Sequence, residues 1–413
     1  MTKNEKRKLT LQKTKEKRKS QVCKTYEVKV DKSSLSKEKL EHLSRLFLEA
    51  KWWYNHILSQ EDVFKIDCKV RKVKVMNKDK QFEERQLIKL SCSMKQMLHK
   101  IIISNIKSLS KNKKNKRKVG RLKFKSVLTC IPVRSYINNS FIRIERLKKH
   151  FKVNGLEQIS KDCEITTTNL LRLHSDYYFH ITTFQNKKEQ VKTRQYIGID
   201  LGIKDSLSFS NGVKIDVNIK ESKNIKKTQQ QLSKKQKHSR NRFKTKLKLQ
   251  KAYEKRDNQK KDITNKIVSY LNTDFDHICV QNDNISVWQR LYGKKINSSI
   301  IGRTLSKLKL LPKTIIVDRF FPSTQLCPYC NCKTKLCLSE RVFKCSNCGF
   351  EEDRDTKSAK IIELEGLKSK KIPMEYGELT LVENKTSTSM FEYFKTIPNV
   401  EACLCSLKQE DSN

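Results

Sequence analysis

The sequence predicts a mixed α/β protein with several domains. Its 413 residues are enough for two or three domains, and hydrophobic residues make up 36% of them, so at least one full-size core can form. Strand-like alternation and helix-like spacing of apolar residues both occur along the chain. Two closely spaced pairs of cysteines in the C-terminal half add a small metal-binding insertion.

Charge is the strongest signal in the composition. Lys and Arg number 90 against 44 Asp and Glu, which gives a formal net charge of +46. A compact protein with this excess repels itself unless a polyanion neutralises it, and nucleic acid is the natural partner because phosphate contacts release counterions. A lysine-rich proteome from an AT-rich genome accounts for some of the lysine. No run approaches the ~20 apolar residues of a membrane span, so we expect no membrane partner.

The first 190 residues are predicted to form a helical and small β-barrel region. Residues 1–20 hold nine basic and two acidic side chains and are expected to be a flexible basic arm. Apolar residues have helical spacing over Leu40–Leu58 and Ser91–Ser108. Short alternating stretches between Ile131 and Thr183 predict the barrel or sheet. The run Trp52-Trp53-Tyr54-Asn55 favours core over base stacking, with Trp52 as the ring expected to be exposed.

Two basic segments are predicted to contact nucleic acid. Residues 111–125 contain nine basic and no acidic side chains, and residues 223–261 contain sixteen basic and two acidic ones. The second segment has helical patterns over 220–249 and 251–271, and helices this polar bridge solvent or lie along a polyanion. The candidate contacts are Lys113, Lys114, Lys116, Arg117, Lys118, Arg121, Lys234, Lys235, Lys237, Arg240 and Arg242.

The cysteine spacing predicts a structural zinc knuckle. Two C-x2-C pairs, Cys327 with Cys330 and Cys345 with Cys348, are separated by fourteen residues and precede Gly349. Four thiolates on a short hairpin make a closed tetrahedral site for Zn²⁺. Cys332 and Cys337 lie in the same hairpin, where they are expected to be ordinary thiols or competing ligands. Most of the other cysteines are isolated, which suits a reducing compartment such as the cytoplasm.

Acidic residues at strand and helix ends predict a second metal site. Asp200 ends the apolar strand that begins at Tyr196, and burying an unpaired carboxylate costs on the order of several kcal/mol. After the cysteines, Asp353 and Asp355 open a helix, where capping is favoured for Asp353 and metal binding for Asp355. A third acid is expected from the strand His277–Gln281 or its exit, because two-metal chemistry needs two or three converging carboxylates.

These motifs, in this order, resemble the TnpB family, whose members are encoded by insertion sequences and related to type V CRISPR effector nucleases. The match includes the G-I-D-L-G strand, the basic helical hairpin, and the C-x2-C pairs followed by D-R-D-x-x-x-A. It also includes the A-K-W-W-Y-N segment at 50–55 and the leader at 322–327. The resemblance implies a RuvC-like, RNase H-fold mixed sheet with the zinc knuckle inserted. It further implies Mg²⁺-dependent cleavage of double-stranded DNA, directed by a guide RNA from the transposon end, with the duplex read mainly by shape.

The resemblance breaks at the second acid. Asp200 and Asp355 match the family's first and third acids, but Gln281 stands where a Glu is common, and Lys357 replaces an Asn. Asp283, two residues beyond Gln281, shares its face if the strand continues, and we favour it as the replacement acid. The alternative is an RNA-guided DNA-binding protein without efficient cleavage. A strand-joining transposase is disfavoured because the eight histidines form no H-x-H pair.

The sequence thus predicts six consecutive parts. They are a basic arm (1–20), a nucleic-acid-binding region (21–190), a first nuclease part with the helical hairpin (191–321), the zinc knuckle (322–350), a second nuclease part (351–366) and a flexible tail (367–413). With no apolar leader at the N-terminus, we expect a cytoplasmic protein associated with the nucleoid.

Overall fold

The computed structural model describes residues 2–77, 81–147, 149–173, 176–187, 195–337, 340–372 and 382–404. The chain divides into two compact units, Met1–Glu189 and Gln190–Asn413. Helices and strands occur together in each unit, so the predicted mixed α/β fold with several domains is confirmed. No helix in these ranges is long and apolar enough to cross a membrane.

The first unit contains a seven-stranded antiparallel sheet in the region predicted to be a small β-barrel. The strand order is β4-β8-β9-β1-β7-β6-β5, and β2 and β3 form a separate hairpin. The elements are α1 (Lys3–Lys19), β1 (Gln21–Val30), α2 (Lys37–Leu58), β2 (Lys72–Met76), β3 (Phe82–Gln86), α3 (Cys92–Lys114), β4 (Cys130–Val133), β5 (Ser135–Asn138), β6 (Phe141–Ile144), β7 (His150–Asn154), β8 (Glu164–Leu173) and β9 (Asp176–Asn186).

Helix α2 supplies much of the core of the first unit and confirms the helix predicted over residues 40–58. Ser36 caps its N-terminus by accepting a hydrogen bond from the amide of Lys39. The buried carboxylate of Glu49 accepts hydrogen bonds from the amides of Lys89 and Leu90 at 2.7 and 2.9 Å, which offsets the cost of burying it. The buried apolar residues of α2 recur at spacings of three and four, namely Leu43, Leu46, Phe47, Ala50, Trp53 and Ile57.

The prediction of an exposed ring at Trp52 is wrong, although the core assignment of the aromatic run is confirmed. The side chain of Trp52 is only 2% exposed. The guanidinium groups of Arg45 and Arg85 lie 4.9 and 4.8 Å from its ring centre and cover it. Such cation–π contacts satisfy a ring at the edge of a core without removing the charges from water.

The N-terminal residues form a helix, so the predicted flexible arm is also wrong. Thr2 and Glu5 make a reciprocal capping box at the start of α1. At the other end, Arg18 pairs with Glu164 of β8 at 2.6 Å and lies over the ring of Phe184. Local capping and these two contacts supply the order that the polar composition of the segment conceals.

The second unit is built on a six-stranded mixed sheet with helices around it. The strand order is β14-β13-β10-β11-β12-β17, and β15 pairs separately with β16. The elements are β10 (Tyr196–Asp200), β11 (Leu207–Phe209), β12 (Val213–Asp216), α4 (Lys223–Ser233), α5 (Arg240–Asp274), β13 (His277–Gln281), α6 (Ile285–Leu291), α7 (Gly293–Ser298), α8 (Ile301–Leu308), β14 (Thr314–Val317), β15 (Val342–Lys344), β16 (Glu351–Asp353), α9 (Arg354–Ser369), α10 (Val382–Lys395) and β17 (Glu401–Leu404).

Strands β10, β13 and β14 are parallel, so their carboxyl ends meet at one edge of the sheet. Ile199 pairs with Val280, and Val280 pairs with Ile316. Strands β11, β12 and β17 continue the sheet on the other side of β10, each antiparallel to its neighbour. Asp200 and Gln281, the last residues of β10 and β13, therefore lie at the edge where α/β sheets commonly bind ligands.

Helix α9 lies directly against β10 because one strand residue is glycine. A Cβ atom at Gly198 would collide with the backbone carbonyl of Ala359 in α9. The carboxylate of Glu363, one turn further along α9, accepts a hydrogen bond of 3.1 Å from the amide of Gly198. This close approach holds the start of α9, with Asp355, beside the end of β10.

The basic helical hairpin is present, but its two helices divide at a different place. The predicted break near residue 250 is wrong, because α5 runs without interruption from Arg240 to Asp274. The turn lies at residues 234–239 instead, where Ser239 caps α5 by accepting a hydrogen bond from the amide of Arg242. Because the sequence around this turn is basic throughout, its only signal for the turn is Ser239.

The predicted flexible tail is wrong for residues 382–404. Strand β17 pairs with β12 along Val213–Asp216. Met390, Phe394 and Ile397 are at most 4% exposed and belong to the core of the unit, where Phe394 stacks on Phe209. Three well-placed apolar residues thus anchor a segment that is otherwise largely polar. Residues 367–369 complete α9, where Leu367 is buried. Tail residues 373–381 and 405–413 lie outside the described residues.

Candidate metal centres and nucleic-acid surfaces

Four cysteines converge in the knuckle between β14 and α9. The sulfur atoms of Cys327, Cys330, Cys345 and Cys348 all lie within 4.8 Å of one another. The separations are 3.6 Å between Cys327 and Cys348 and 3.5 Å between Cys330 and Cys345. Tetrahedral zinc with bonds of about 2.3 Å places its sulfur ligands about 3.8 Å apart, so these thiols fit such an ion.

Backbone amides of the knuckle stabilise the thiolate of Cys345, whereas burial and the neighbouring thiols raise the pKa of Cys348. The amides of Cys348 and Asn347 donate hydrogen bonds that lower the pKa of Cys345 to about 6, which favours the thiolate. Gly349 adopts a φ of 74°, the left-handed conformation that the turn after the second pair requires. The sulfurs of Cys332 and Cys337 are not part of the group, in line with the prediction that they are ordinary thiols.

Asp200 is the centre of the acidic site at the sheet edge. Removal of its carboxyl group from water raises its pKa to about 8, and the negative charges of Asp355 and Asp283 contribute to the rise. The electrostatic influence shows that acids from β10, the exit of β13 and the start of α9 lie near one another. An acidic cluster that resists ionisation in this way is suited to a bound cation.

The two acids at the start of α9 have different roles. Asp353 caps the helix, accepting hydrogen bonds from the amides of Asp355 and Thr356, so its predicted capping role is confirmed. Burial would raise the pKa of Asp353, but hydrogen bonds from Lys214 and Thr356 outweigh burial and lower it. Asp355 is half-buried, with the guanidinium groups of Arg354 and Arg341 at 3.5 and 3.8 Å.

Asp283 lies just beyond the end of β13, in a tight turn. Its amide donates to the carbonyl of Gln281 at 3.0 Å, so the strand stops before it. Burial raises the pKa of Asp283 to about 6, against the opposing charge of Lys309. Among the described residues, the four cysteines form the one group of three or more possible ligands closing within 4.8 Å. Asp200, Asp283 and Asp355 do not form such a group.

Gln281 and Lys357, the two departures from the family pattern, have contacts that the sequence did not reveal. Gln281 is 7% exposed and Lys357 is fully buried. Both side chains hydrogen-bond to the backbone of residues 318–326, the segment that leads into the knuckle. Burying the ammonium group of Lys357 requires acceptors nearby, and these backbone carbonyls supply them.

The predicted basic contacts lie in both units, and most of their side chains are exposed. Those in the first unit lie on the last turn of α3 and in the loop after it, and all are exposed: Lys113, Lys114, Lys116, Arg117, Lys118 and Arg121. In the hairpin of the second unit, Lys234, Lys237 and Arg240 are exposed. Arg242 donates to the carbonyls of Leu232 and Lys235, and Lys235 donates to Thr245, so Lys235 and Arg242 help to build the turn.

An open face on β5, β6 and β7 is a surface that the sequence did not single out. A cavity of about 550 Å³ is lined by Tyr136, Asn138, Phe141, Arg143 and His150. The guanidinium of Arg143 lies 4.8 Å from the ring centre of Tyr136. Exposed rings beside cations, with no acid in the lining, are the kind of surface on which nucleobases stack.

Fold and sites together define a strongly basic, mixed α/β protein with a thiolate metal site and a carboxylate cluster in one unit. Two family models match the chain in order, mostly within that unit. OrfB_IS605, described as a probable transposase, matches residues 179–286, and the TNB domain of Cas12f1-like proteins matches residues 307–362. The first match contains Asp200 and Asp283, and the second contains the four cysteines and Asp355.

A curated protein of Streptomyces pristinaespiralis, provisionally named as an RNA-guided DNA endonuclease, is 27% identical over 188 residues. The alignment covers 42% of this chain and 46% of the relative, so the chain spans about half the length of the relative it matches. The cryo-EM structure of a Cas12f1–sgRNA–target DNA complex aligns with a TM-score of 0.46 and 11% identity, over 83% of this chain and 99% of that one. The family models and the curated relative support the assignment of this chain as a TnpB-family protein.

Proposed function

We propose that the chain is an RNA-guided, metal-dependent DNA endonuclease of a transposable element. In this proposal, the second unit is a RuvC-type nuclease in which Asp200, Asp283 and Asp355 hold Mg²⁺. The observation that carries it is electrostatic: burial, together with the charges of Asp355 and Asp283 from two other elements, raises the pKa of Asp200 to about 8. A site that assembles like charges at a sheet edge stores a repulsion that a divalent cation relieves.

The topology of the second unit supports the RNase H-like assignment. Strands β10, β11 and β12 form an antiparallel meander, and β13 and β14 add to the other side of β10 in parallel. This order places the acid of β10 at the centre of the sheet and the exit of β13 beside it. Helix α9 then contributes the third acid from across the sheet edge.

The four-cysteine site is proposed to hold structural Zn²⁺, and the acids would hold Mg²⁺ that activates water and stabilises the leaving oxygen. The chain's own residues have separable tasks. Asp200 and Asp355 orient the cation site, and Arg341 and Arg354 lie close enough to Asp355 to balance its charge. The exposed basic residues and the open face in the first unit are proposed to contact a guide RNA from the transposon end and its target DNA.

Cleavage of a plasmid that matches the guide tests the proposal. Protein would be purified together with RNA transcribed from the adjoining transposon end and then incubated with plasmid and Mg²⁺. We expect the wild-type complex to cut and the Asp200→Ala and Asp283→Ala variants to lose cutting while still binding the guide. A plasmid without a guide match controls for non-specific nuclease. Cutting that survives Asp200→Ala contradicts the assigned site.

A second candidate is guide-dependent DNA binding without cleavage, as in a repressor or a transposition accessory protein. The observation that favours it is the turn at Asp283, which ends the strand before the replacement acid. Tight guide-dependent DNA binding without cutting in Mg²⁺ or Mn²⁺ is the expected result for this function.

A further inference from the structure

Gln281 uses its whole side-chain amide to hold the segment that follows β14. Its Nε2 donates to the carbonyls of Asp318, Arg319 and Phe321, at 3.2, 3.3 and 2.8 Å. Its Oε1 accepts a hydrogen bond of 2.9 Å from the hydroxyl of Ser323. Three of these four partners are carbonyl oxygens, which only accept, so the position requires a donor.

Lys357 continues the same contact from the other side. Its ammonium donates to the carbonyls of Ser323, Thr324 and Leu326, at 3.0, 2.7 and 3.1 Å. It also lies 4.0 Å from the ring centre of Phe343, inside the small core of the knuckle. The three N–H groups thus each have an acceptor, which is how a fully buried ammonium is tolerated.

The two side chains meet at Ser323 and come from the elements that carry two of the acids. Gln281 is the last residue of β13, two residues before Asp283, and Lys357 is on α9, two residues after Asp355. Through residues 318–326, they link the exit of β13 to the first turn of α9. The same segment ends at Leu326, next to the first metal-binding cysteine.

We propose that Gln281 and Lys357 are positioning residues that lock segment 318–326 in place and so set the spacing of Asp283 and Asp355 around Asp200. This inference rests on the proposed function, in which those acids bind the metal ion. The amide at position 281 is then a required part of the site and not the remnant of a lost ligand. A carboxylate there faces three carbonyl oxygens with no hydrogen to donate, so it repels the segment that the amide holds.

The lost-ligand and positioning roles predict opposite effects of Gln281→Glu on metal binding. If position 281 has lost a metal ligand, Gln281→Glu restores a negative charge and an oxygen donor, so Mn²⁺ binds more tightly. If Gln281 is a positioning residue, Gln281→Glu releases segment 318–326, and Mn²⁺ binds more weakly despite the added charge. Lys357→Met gives the same contrast, because loss of a nearby positive charge alone would strengthen cation binding.

Mn²⁺ binding to the zinc-loaded full-length protein, followed by calorimetry and electron paramagnetic resonance, tests the inference. We expect Gln281→Glu and Lys357→Met each to weaken Mn²⁺ binding by about tenfold or more, as for other residues that orient metal ligands. Gln289→Glu is the matched control, because it makes the same amide-to-acid change at an exposed position of α6. It should leave the affinity within about twofold of wild type. Unchanged or tighter binding in Gln281→Glu overturns the proposal.

Hydrogen exchange tests whether Gln281 and Lys357 lock segment 318–326 in place, independently of metal binding. Amides of residues 318–326 should exchange faster in both variants, and unchanged exchange overturns the lock whatever the metal does. If a variant fails to fold, Ser323→Ala replaces it, since this change removes only the hydroxyl bond to Gln281 and is expected to speed exchange less. If Asp200→Ala binds Mn²⁺ as tightly as the wild type does, the proposed function is contradicted, and hydrogen exchange then decides on the lock alone.

Discussion

The cysteine knuckle and the acidic site lie in the same unit, but their residues are brought together in different ways. Four sulfurs from one short hairpin close within 4.8 Å, and local turns with a left-handed glycine bring them together. The acids come from β10, the exit of β13 and α9, and each depends on elements distant in sequence. Short-range geometry therefore determines one site, whereas the packing of α9 on Gly198 and the contacts of segment 318–326 determine the other.

The largest expected effect is loss of the knuckle. Cys345→Ser should remove the bound zinc, about one ion per chain, because three ligands and a hydroxyl bind Zn²⁺ far more weakly than four thiolates. Zinc analysis of the purified protein measures this. Cys332→Ser, a thiol in the same hairpin outside the group, should retain full zinc content. Equal zinc loss from both variants would falsify the four-ligand assignment.

The next effect contrasts the two neighbouring acids of α9. Asp355→Asn should lower the rate of guided plasmid cleavage by about 100-fold or more, a larger loss than is typical for residues that only orient metal ligands. Asp353→Asn should change the rate by less than about threefold, since Asn caps helices as well as Asp does. Similar losses from both changes indicate that disruption of the helix start, and not a metal ligand, explains the result.

Asp200 should make the metal-free protein less stable as pH rises. Its folded-state pKa of about 8 exceeds the ordinary value of 3.8, so the folded protein holds a proton that the unfolded chain releases. The free energy of unfolding therefore falls with increasing pH between about 4 and 8. Asp200→Asn removes this dependence and should raise Tm at pH 7.5 by at least about 4 °C, the shift that each unit of pKa difference at one carboxyl gives in a unit of this size.

Thermal melts from pH 5 to 8, in Mg²⁺-free buffer without chelator, measure this stability. Added Mg²⁺ should flatten the wild-type dependence and leave Asp200→Asn unchanged. The exposed Asp262→Asn is the control for removing a carboxylate elsewhere in the unit. A wild-type Tm that does not fall between pH 5 and 8 contradicts the electrostatic account of the site.

The smallest effect concerns the ion pair that joins the two sites. Arg341 of the knuckle lies 3.8 Å from Asp355 and is about half exposed, so solvent screens the pair. Arg341→Ala should shift Tm by less than about 2 °C, since exposed pairs contribute little. A larger shift, or a clear loss of Mn²⁺ affinity, means that the knuckle controls the acids through this contact and not through the segment before it.

Sequence patterns predicted the parts of this molecule that depend on nearby residues. The strand at His277–Gln281 was delimited correctly because buried parallel strands are short apolar runs with polar ends. The four cysteines were found by spacing alone. Average composition was misleading where a few contacts decide the outcome, as at Trp52 under two arginines and at Met390 and Phe394 in the tail.

The contacts of Gln281 and Lys357 were beyond the reach of sequence reasoning. All but one of their partners are backbone carbonyls 31 to 40 residues away, and a carbonyl leaves no trace in the identity of its residue. Comparison with a family pattern marked both positions as departures, but it could not distinguish a lost ligand from a different structural role. That distinction required the fold of segment 318–326.

Strand β17 has a consequence for the behaviour of shortened forms of the chain. It covers β12, which without it would be the edge strand of the sheet, with a row of backbone groups free to pair. Removal of residues 382–404 would uncover that edge together with the apolar surface under Met390 and Phe394. Such a shortened protein is expected to self-associate through strand pairing, so solubility, rather than chemistry, limits how far the C-terminal segment can be trimmed.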